Sequence, residues 1–366
     1  GTFMKTALPR YATSPHFRKP PDENEATMSS SWLEFLGTCG AHTAQGVVTD
    51  FGDAAAELAA ARTATIVSPL RHLGVLEVSG ADAMSFLHQQ LTSDVKHLAE
   101  DAAQHSAWCS AKGRMLASFL VYRKGPAYHL QLSADLLPLV RKRLQMFVLR
   151  SKVHIADLSD TQELLGVSGP QAETVLRMAG LPIPAAALGT VAFAAGIVIR
   201  LDDAHRFEMV VERNAVSDLW PALQSQAHPV GSMVWQWLEI QAGIPLITER
   251  TQEQFVPQMA NFEKLGAISF HKGCYPGQEI VARTQYLGKV KRHLYRVHSA
   301  SPLAAGQALC SSANPEHPCG MIVNAAPAPA GGYDALAIVQ EAFAAAGDLE
   351  LAVPGGARVA ILPPGA

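Results

Sequence analysis

The chain has 366 residues, 48% of them hydrophobic and 17% charged, with 29 Lys+Arg against 32 Asp+Glu and a net charge of −3. At roughly 150 residues per domain, this length predicts two to three domains. A charged fraction below the roughly 25% of an average soluble protein leaves enough apolar sequence for a large core, which excludes disorder for most of the chain. The absence of a cationic excess argues against a general nucleic-acid binder, because no charge surplus exists to hold phosphate backbones.

Residues 1–30 contain Pro9, Pro15, Pro20 and Pro21, an acidic run Asp22-Glu23-Asn24-Glu25, and the start of Ser29-Ser30-Ser31. They are predicted to form a flexible extension. Gly1 reads as a cloning remnant and Met28 as a candidate natural start. No apolar stretch here has the length of a signal peptide. The five cysteines (Cys39, Cys109, Cys274, Cys310, Cys319) are odd in number and widely spread. That fits reduced thiols in a cytoplasm rather than a disulfide framework.

An internal repeat organises the next part. Val78-Ser79-Gly80, then Ala83 and Leu87, recurs at a constant offset as Val167-Ser168-Gly169, then Ala172 and Leu176. Each copy reads as a short strand (Leu73 to Val78; Leu164 to Val167), a Ser-Gly turn and a helix. Ser79 and Ser168 are expected to cap these helices, and Pro170 to occupy a first turn, where a missing N–H costs nothing. In the first helix Met84, Leu87 and Leu91 form an apolar stripe.

The first copy continues with strands Met115 to Arg123 and Tyr128 to Ser133 around Lys124-Gly125-Pro126, then a helix from Ala134 to Val148. The second continues with strands Ile197 to Leu201 and Arg206 to Val211 around Asp202-Asp203, then a helix from Asn214 to about Gln224. Two strand pairs flanked by helices describe tandem α+β units of ferredoxin-like type. Within the second copy the uncharged run Leu181 to Ile199 is broken by Pro182, Pro184, Gly189 and Gly196. It reads as a loop and a short strand, not a membrane span.

After about residue 290 short strands alternate with Pro, Gly, Ser and Asn clusters: Lys291 to His298, Gln307 to Ser311, Gly320 to Asn324, Ala335 to Glu341 and Arg358 to Leu362. This is the spacing of a small barrel or sandwich. The expected domains are 31–160 with 245–288 returning to it, 161–244, and 289–366.

Walker A, dinucleotide-binding glycine, HExxH and Gly-x-Ser-x-Gly motifs are absent. Cys310, His317 and Cys319 have no zinc-knuckle spacing and lack a fourth ligand, so no metal site is expected. One segment carries chemistry: Ser269-Phe270-His271-Lys272-Gly273-Cys274-Tyr275-Pro276-Gly277-Gln278-Glu279-Ile280-Val281-Ala282-Arg283-Thr284. A glycine-rich loop feeds a helix expected to begin near Pro276, where free N–H groups favour an anion or thiolate. Cys274 beside Lys272 is thereby a candidate reactive thiol. Gln278 and Glu279 offer the amide and carboxylate that read a heterocycle bearing donors and acceptors. A tight turn with a buried cysteine explains the same residues equally well.

Lys272-Gly273-Cys274-Tyr275-x-Gly277-Gln278-Glu279 resembles the signature of the YgfZ family, folate-binding relatives of the glycine-cleavage T-protein. Phe255-Val256-Pro257-Gln258 with Asn261, Gly266 to Phe270, Phe86 to Val95, Lys112-Gly113-Arg114-Met115 and Ala242-Gly243-Ile244-Pro245 are similar too. The resemblance implies a ring of two ferredoxin-like α+β domains and a C-terminal antiparallel β-barrel, with tetrahydrofolate or a one-carbon derivative in the central channel. It implies a cytoplasmic role in making or repairing iron–sulfur proteins, including those that modify tRNA. The partners would be those proteins or their assembly factors, with neither a membrane nor direct nucleic-acid contact. Cys274 would be the reactive residue, its loop facing the channel. The folate contacts would come from Glu208, Lys272, Gln278, Glu279, Gln258, Asn261, Arg114 and Asp94.

Two departures bear on chemistry. T-proteins carry an Asp-Asp pair where this chain has Ala117 and Ser118, neither able to accept a proton near neutral pH. Glu239 stands where those relatives commonly have arginine. A folate-dependent transferase using Asp94 or Glu279, and a scaffold with a vestigial folate site, are the alternative expectations.

Overall fold

A computed structural model describes residues 23–364. Gly1 and the rest of the predicted extension up to Asp22 lie outside the described residues. From Glu23 the chain is helical, through Glu23–Thr38, so the extension does not run to residue 30. Serine content suggested a loop, but Trp32 and Leu36 share one helical face and are almost fully buried. Trp32 packs edge-on against Trp220, with ring centroids 5.8 Å apart.

The first sheet has five antiparallel strands in the order Ala103–Cys109, Met115–Lys124, Ala127–Ser133, Leu73–Ser79, His154–Asp157. The second has six strands, antiparallel except for the parallel pairing of the last two: Thr190–Phe193, Gly196–Arg200, Arg206–Glu212, Gln162–Ser168, Ile66–Pro69, His228–Pro229. A closed barrel of Arg292–Ser299, Tyr333–Gln340, Asn314–Pro327, Ala308–Ser311, Leu349–Leu351 and Arg358–Ile361 follows.

The strand Ile66–Pro69 departs from the expected partition. All four residues are buried, so it needs neighbours on both edges. It finds them in Gln162–Ser168, pairing Ser68 with Gly166, and in His228–Pro229. Ile66–Pro69 thus belongs to the second sheet, not the first; Trp32, Leu36 and Val48 before it pack into the second sheet's core, while His42–Ala44 and Val47–Asp50 form a two-stranded sheet of their own. Residues 245–288 cross the first sheet: Met115 N–H donates to Phe255 O at 2.9 Å, and Ser269 N–H to Thr92 O at 2.8 Å.

Both repeat copies place strand, Ser-Gly turn and helix alike, with helices at Ala83–Gln90 and Ala172–Met178. The serines do not cap them. Ser79 and Ser168 end their strands, the cap positions fall at Asp82 and Gln171, and neither side chain makes a capping bond. Pro170 consequently precedes the second helix. The invariant feature of the turn is glycine, with φ of 111° at Gly80 and 130° at Gly169. A Cβ on Gly169 would meet the backbone oxygen of Ala64 at 2.5 Å. Gly169→Ala is therefore expected to cost about 2 kcal/mol, read as a lower urea midpoint. An unchanged midpoint would mean that this turn can relax.

The two sheets face each other. Val75, Leu120 and Tyr122 of the first pack against Ile66, Leu164, Ile197, Ile199 and Val210 of the second, with Trp235 of the helix Ser232–Ala242 among them. Period-two alternation then sends Ser118, Gln131 and Glu208 inward from their strands as well. Polar side chains on an inward face are costly unless partnered, and they gather at one place.

Candidate functional site

That place is a cavity of about 160 Å³ between the sheets. Phe119, Leu120, Leu246, Phe262 and Leu265 supply its apolar wall; Gln131, Glu208, Arg206, Glu239, His72 and His105 supply its polar groups. Glu208 is 2% exposed. Gln131 Nε2 donates to Glu208 Oε2 at 2.6 Å. Burial, reinforced by the neighbouring Glu239 carboxylate, pushes the Glu208 carboxyl up to about 7. Gln131, Arg206 and the Trp235 indole oppose that shift, the indole without reaching hydrogen-bond geometry.

Arg206 is held on two sides, with Nε donating to Asp202 at 2.6 Å and Nη1 to Glu239 at 2.7 Å. The guanidinium is therefore fixed beside Glu208, its charge balanced by these two carboxylates. Burial holds His72 and His105 down at about 4, so both imidazoles are neutral at pH 7. The Gln131 Oε1 and His72 Nδ1 atoms are buried without a hydrogen-bond partner among the described residues. Ser118 lines the cavity and accepts from Ile247 N–H at 2.9 Å, while its neighbour Ala117 faces the core on the other side of the strand. An open groove shares Asp202, Arg206 and Ala242 with the cavity and continues past Asn261, Lys264 and Arg296.

The Cys274 loop lies elsewhere; no residue between 269 and 283 lines the cavity. Its helix starts at Gln278, two residues later than expected, with Gly277 at φ 79° in the cap position. A Cβ on Gly277 would meet Ser110 O at 2.5 Å and Gly113 Cα at 2.7 Å. The helix start is thus pressed onto the Gly113 turn, which leaves Cys274 exposed at the protein surface. Lys272 Nζ donates to Ser93 O at 2.9 Å and to Leu91 O, and sits 5.1 Å from the Tyr275 ring centre. Burial pushes its pKa down to about 8.

The eight folate-contact candidates therefore do not converge. Glu208 is in the cavity and Asn261 on the adjoining groove. Lys272 belongs to the loop beside Asp94, which holds His97 Nδ1 at 2.7 Å. Gln278 donates weakly to Gly273 O at 3.4 Å, and Glu279 is exposed. Gln258 is buried, donating to Val281 O at 2.7 Å. Arg114 is exposed and donates to Gln254 O at 2.6 Å. Gln131, Arg206, His72 and His105 escaped the sequence reading. The available signal was polar residues at inward positions of apolar strands, as in Tyr128-His129-Leu130-Gln131-Leu132.

The exposure of Cys274 leads to a direct expectation. Iodoacetamide should alkylate Cys274 ahead of the buried Cys109, Cys310 and Cys319, as read by peptide mass mapping. Cys274→Ser should leave the unfolding free energy within about 0.5 kcal/mol of the parent. Alkylation of Cys109 first would contradict this placement.

Residues 44–268 match the family described as GCVT N-terminal domain. The glycine cleavage system aminomethyltransferase T from Bartonella henselae has the same fold, with a TM-score of 0.74 over 91% of this chain and 96% of that one at 18% identity. Fold and matched region define a T-protein-like protein. The tRNA-modifying protein YgfZ of Klebsiella pneumoniae is 36% identical over 221 residues, covering 60% of this chain and 67% of the relative. That of Escherichia coli K12 is 33% identical over 238 residues, covering 65% and 73%. The chain belongs to the YgfZ family.

Proposed function

We propose that this protein binds tetrahydrofolate or a one-carbon derivative, with the pterin ring in the Glu208 cavity. In this reading it serves the synthesis or repair of iron–sulfur proteins in the cytoplasm, including those that modify tRNA. The observation that carries the folate assignment is the buried Glu208–Gln131 pair at the end of an apolar-walled cavity. A pterin edge presents adjacent N–H donors and a carbonyl on a flat apolar body. A carboxylate accepts from two such donors, and the unpartnered Gln131 Oε1 and His72 Nδ1 remain for further polar contacts. The cavity has room for a bicyclic ring and not for a whole folate, so the anionic tail would extend into the groove past Lys264 and Arg296.

When bound, folate supplies a carrier for a one-carbon unit. Glu208 would hold the ring, Gln131 would fix the carboxylate, and Phe119 and Phe262 would cover the ring from water. Ser118 offers no charge at this wall, which favours an accessory role over aminomethyl transfer. The two acids available to an alternative transferase stand outside the cavity: Asp94 is tied to His97, and Glu279 is exposed. Cys274 would act at its own exposed surface, not on the ring.

Calorimetric titration with tetrahydrofolate tests the binding. Complementation of cells lacking the gene, read through iron–sulfur-dependent tRNA modification, tests the role. Binding retained by Cys274→Ala together with failed complementation would separate the two sites. Absence of folate binding with intact complementation would leave a scaffold instead, and turnover of an aminomethyl donor would establish a transferase.

No helix among the described residues is long and apolar enough to cross a membrane.

A further inference from the structure

The helix Leu137–Val148 covers the first sheet with Leu137, Val140, Leu144 and Val148, all buried. Its opposite face is unusual. Nine large hydrophobic side chains are exposed among the described residues, and four belong to this helix and the residue after it: Leu139, Met146, Phe147 and Leu149, the last 87% exposed. Leu149 also has φ of 48°, a conformation a leucine seldom takes, and it holds the side chain out at the helix end.

The same stretch is strongly basic in a chain whose net charge is −3. Arg141, Lys142, Arg143, Arg150 and Lys152 lie between Asp135 and Asp157 with no acid among them. Arg141, Lys142, Arg150 and Lys152 are exposed, and among the described residues none of the four forms an ion pair within 4 Å. Arg143 is half-buried over the Trp108 ring at 5.6 Å. At 100° per residue the arc away from the sheet reads Arg141, Gln145, Pro138, Lys142, Met146, Leu139, Arg143, Phe147, so cations flank the apolar pair Met146 and Leu139 on both sides.

We propose that this face docks an acidic amphipathic helix of a partner protein, whose apolar anchors cover Leu139, Met146 and Leu149 while its carboxylates meet the flanking cations. Charge complementarity selects this occupant. A second copy of the chain would bring two basic faces together, which is repulsive. Nucleic acid would satisfy the cations but leave three aliphatic side chains in water. A lipid surface is favoured by an uninterrupted apolar face, and here Arg143 separates Phe147 from Met146 and Leu139. An apolar strip flanked by charge is the arrangement that grooves and faces use to bind amphipathic helices.

The full chain is titrated, in 150 mM salt, with three probes: a synthetic acidic amphipathic helix bearing leucines at i, i+4 and i+7, bulk tRNA, and phosphatidylglycerol vesicles. The peptide is expected to bind. Arg141→Glu/Lys142→Glu and, separately, Met146→Ser/Leu149→Ser should each weaken it roughly tenfold. These surface changes should leave the far-UV circular dichroism unaltered. In cells, a photo-crosslinker at position 146 should capture protein segments that sequencing shows to be acidic and amphipathic, and a crosslinker at exposed Val353 should not. Three results overturn the proposal: tRNA or vesicles binding as tightly as the peptide, peptide binding indifferent to the Met146/Leu149 pair, or adducts at position 146 without acidic amphipathic character.

Discussion

Replacing Glu208 with alanine is expected to lower tetrahydrofolate affinity about a hundredfold, the loss of two charge-assisted hydrogen bonds of about 1.5 kcal/mol each. Glu208→Gln should lose nearly as much. It keeps the shape but turns an amide donor toward ring donors and leaves both unpaired. The wild-type carboxyl, pushed up to about 7 by burial, must release its proton before it can accept from two N–H groups. Wild-type affinity should therefore fall as pH drops through 7, and the alanine variant should lose that dependence. Quenching of tryptophan fluorescence is a suitable readout, because Trp235 lies beside this carboxyl. Near-parental affinity in both variants would move the ring out of the cavity altogether.

Much of the fold was legible because its signals are local. The repeated Ser-Gly turn, the strand pairs around Gly125 and Asp203, and the short strands after residue 290 all declare themselves within a dozen residues. Strand Ile66–Pro69 was missed for the opposite reason. A four-residue run buried throughout has no period, and its partner strand begins about a hundred residues later. The site divides along the same line. The Cys274 segment is contiguous, so its motif was easy to read. The Glu208 cavity is assembled from Gln131, Glu208, Glu239 and others on separate elements; Asp202, Arg206 and Glu208 share one short window, but Gln131 and Glu239 lie far off in sequence. Adjacency in the motif suggested that the thiol and the pterin share one opening. The Gly113–Gly277 contact instead fixes the thiol loop against a turn of the first sheet, away from the cavity.

Glu208 also sets a pH dependence of stability that does not require ligand. Burial, then Glu239, raises its carboxyl from 4.5 to about 7, so the folded protein keeps a proton that the unfolded chain gives up near pH 4.5. This contribution is complete below pH 4.5 and is lost as pH rises through 7, amounting to about 3 kcal/mol in all. His72 and His105 act with the opposite sign. Burial lowers them from 6.5 to about 4, so their contribution is complete above pH 6.5 and lost as pH falls toward 4. The profile of the wild type alone is therefore a sum of opposing slopes. The difference from Glu208→Gln isolates the carboxyl, because the amide accepts from Gln131 through its own oxygen and does not titrate. Urea unfolding at constant salt should find the two proteins alike near pH 4.5. At pH 8 the glutamine variant should be more stable by about 3 kcal/mol, with most of the change between pH 5 and 7. A difference that stays flat from pH 4.5 to 8 would mean that water reaches Glu208 freely, and the cavity could not then make a lone carboxylate select a ring by its hydrogen bonds.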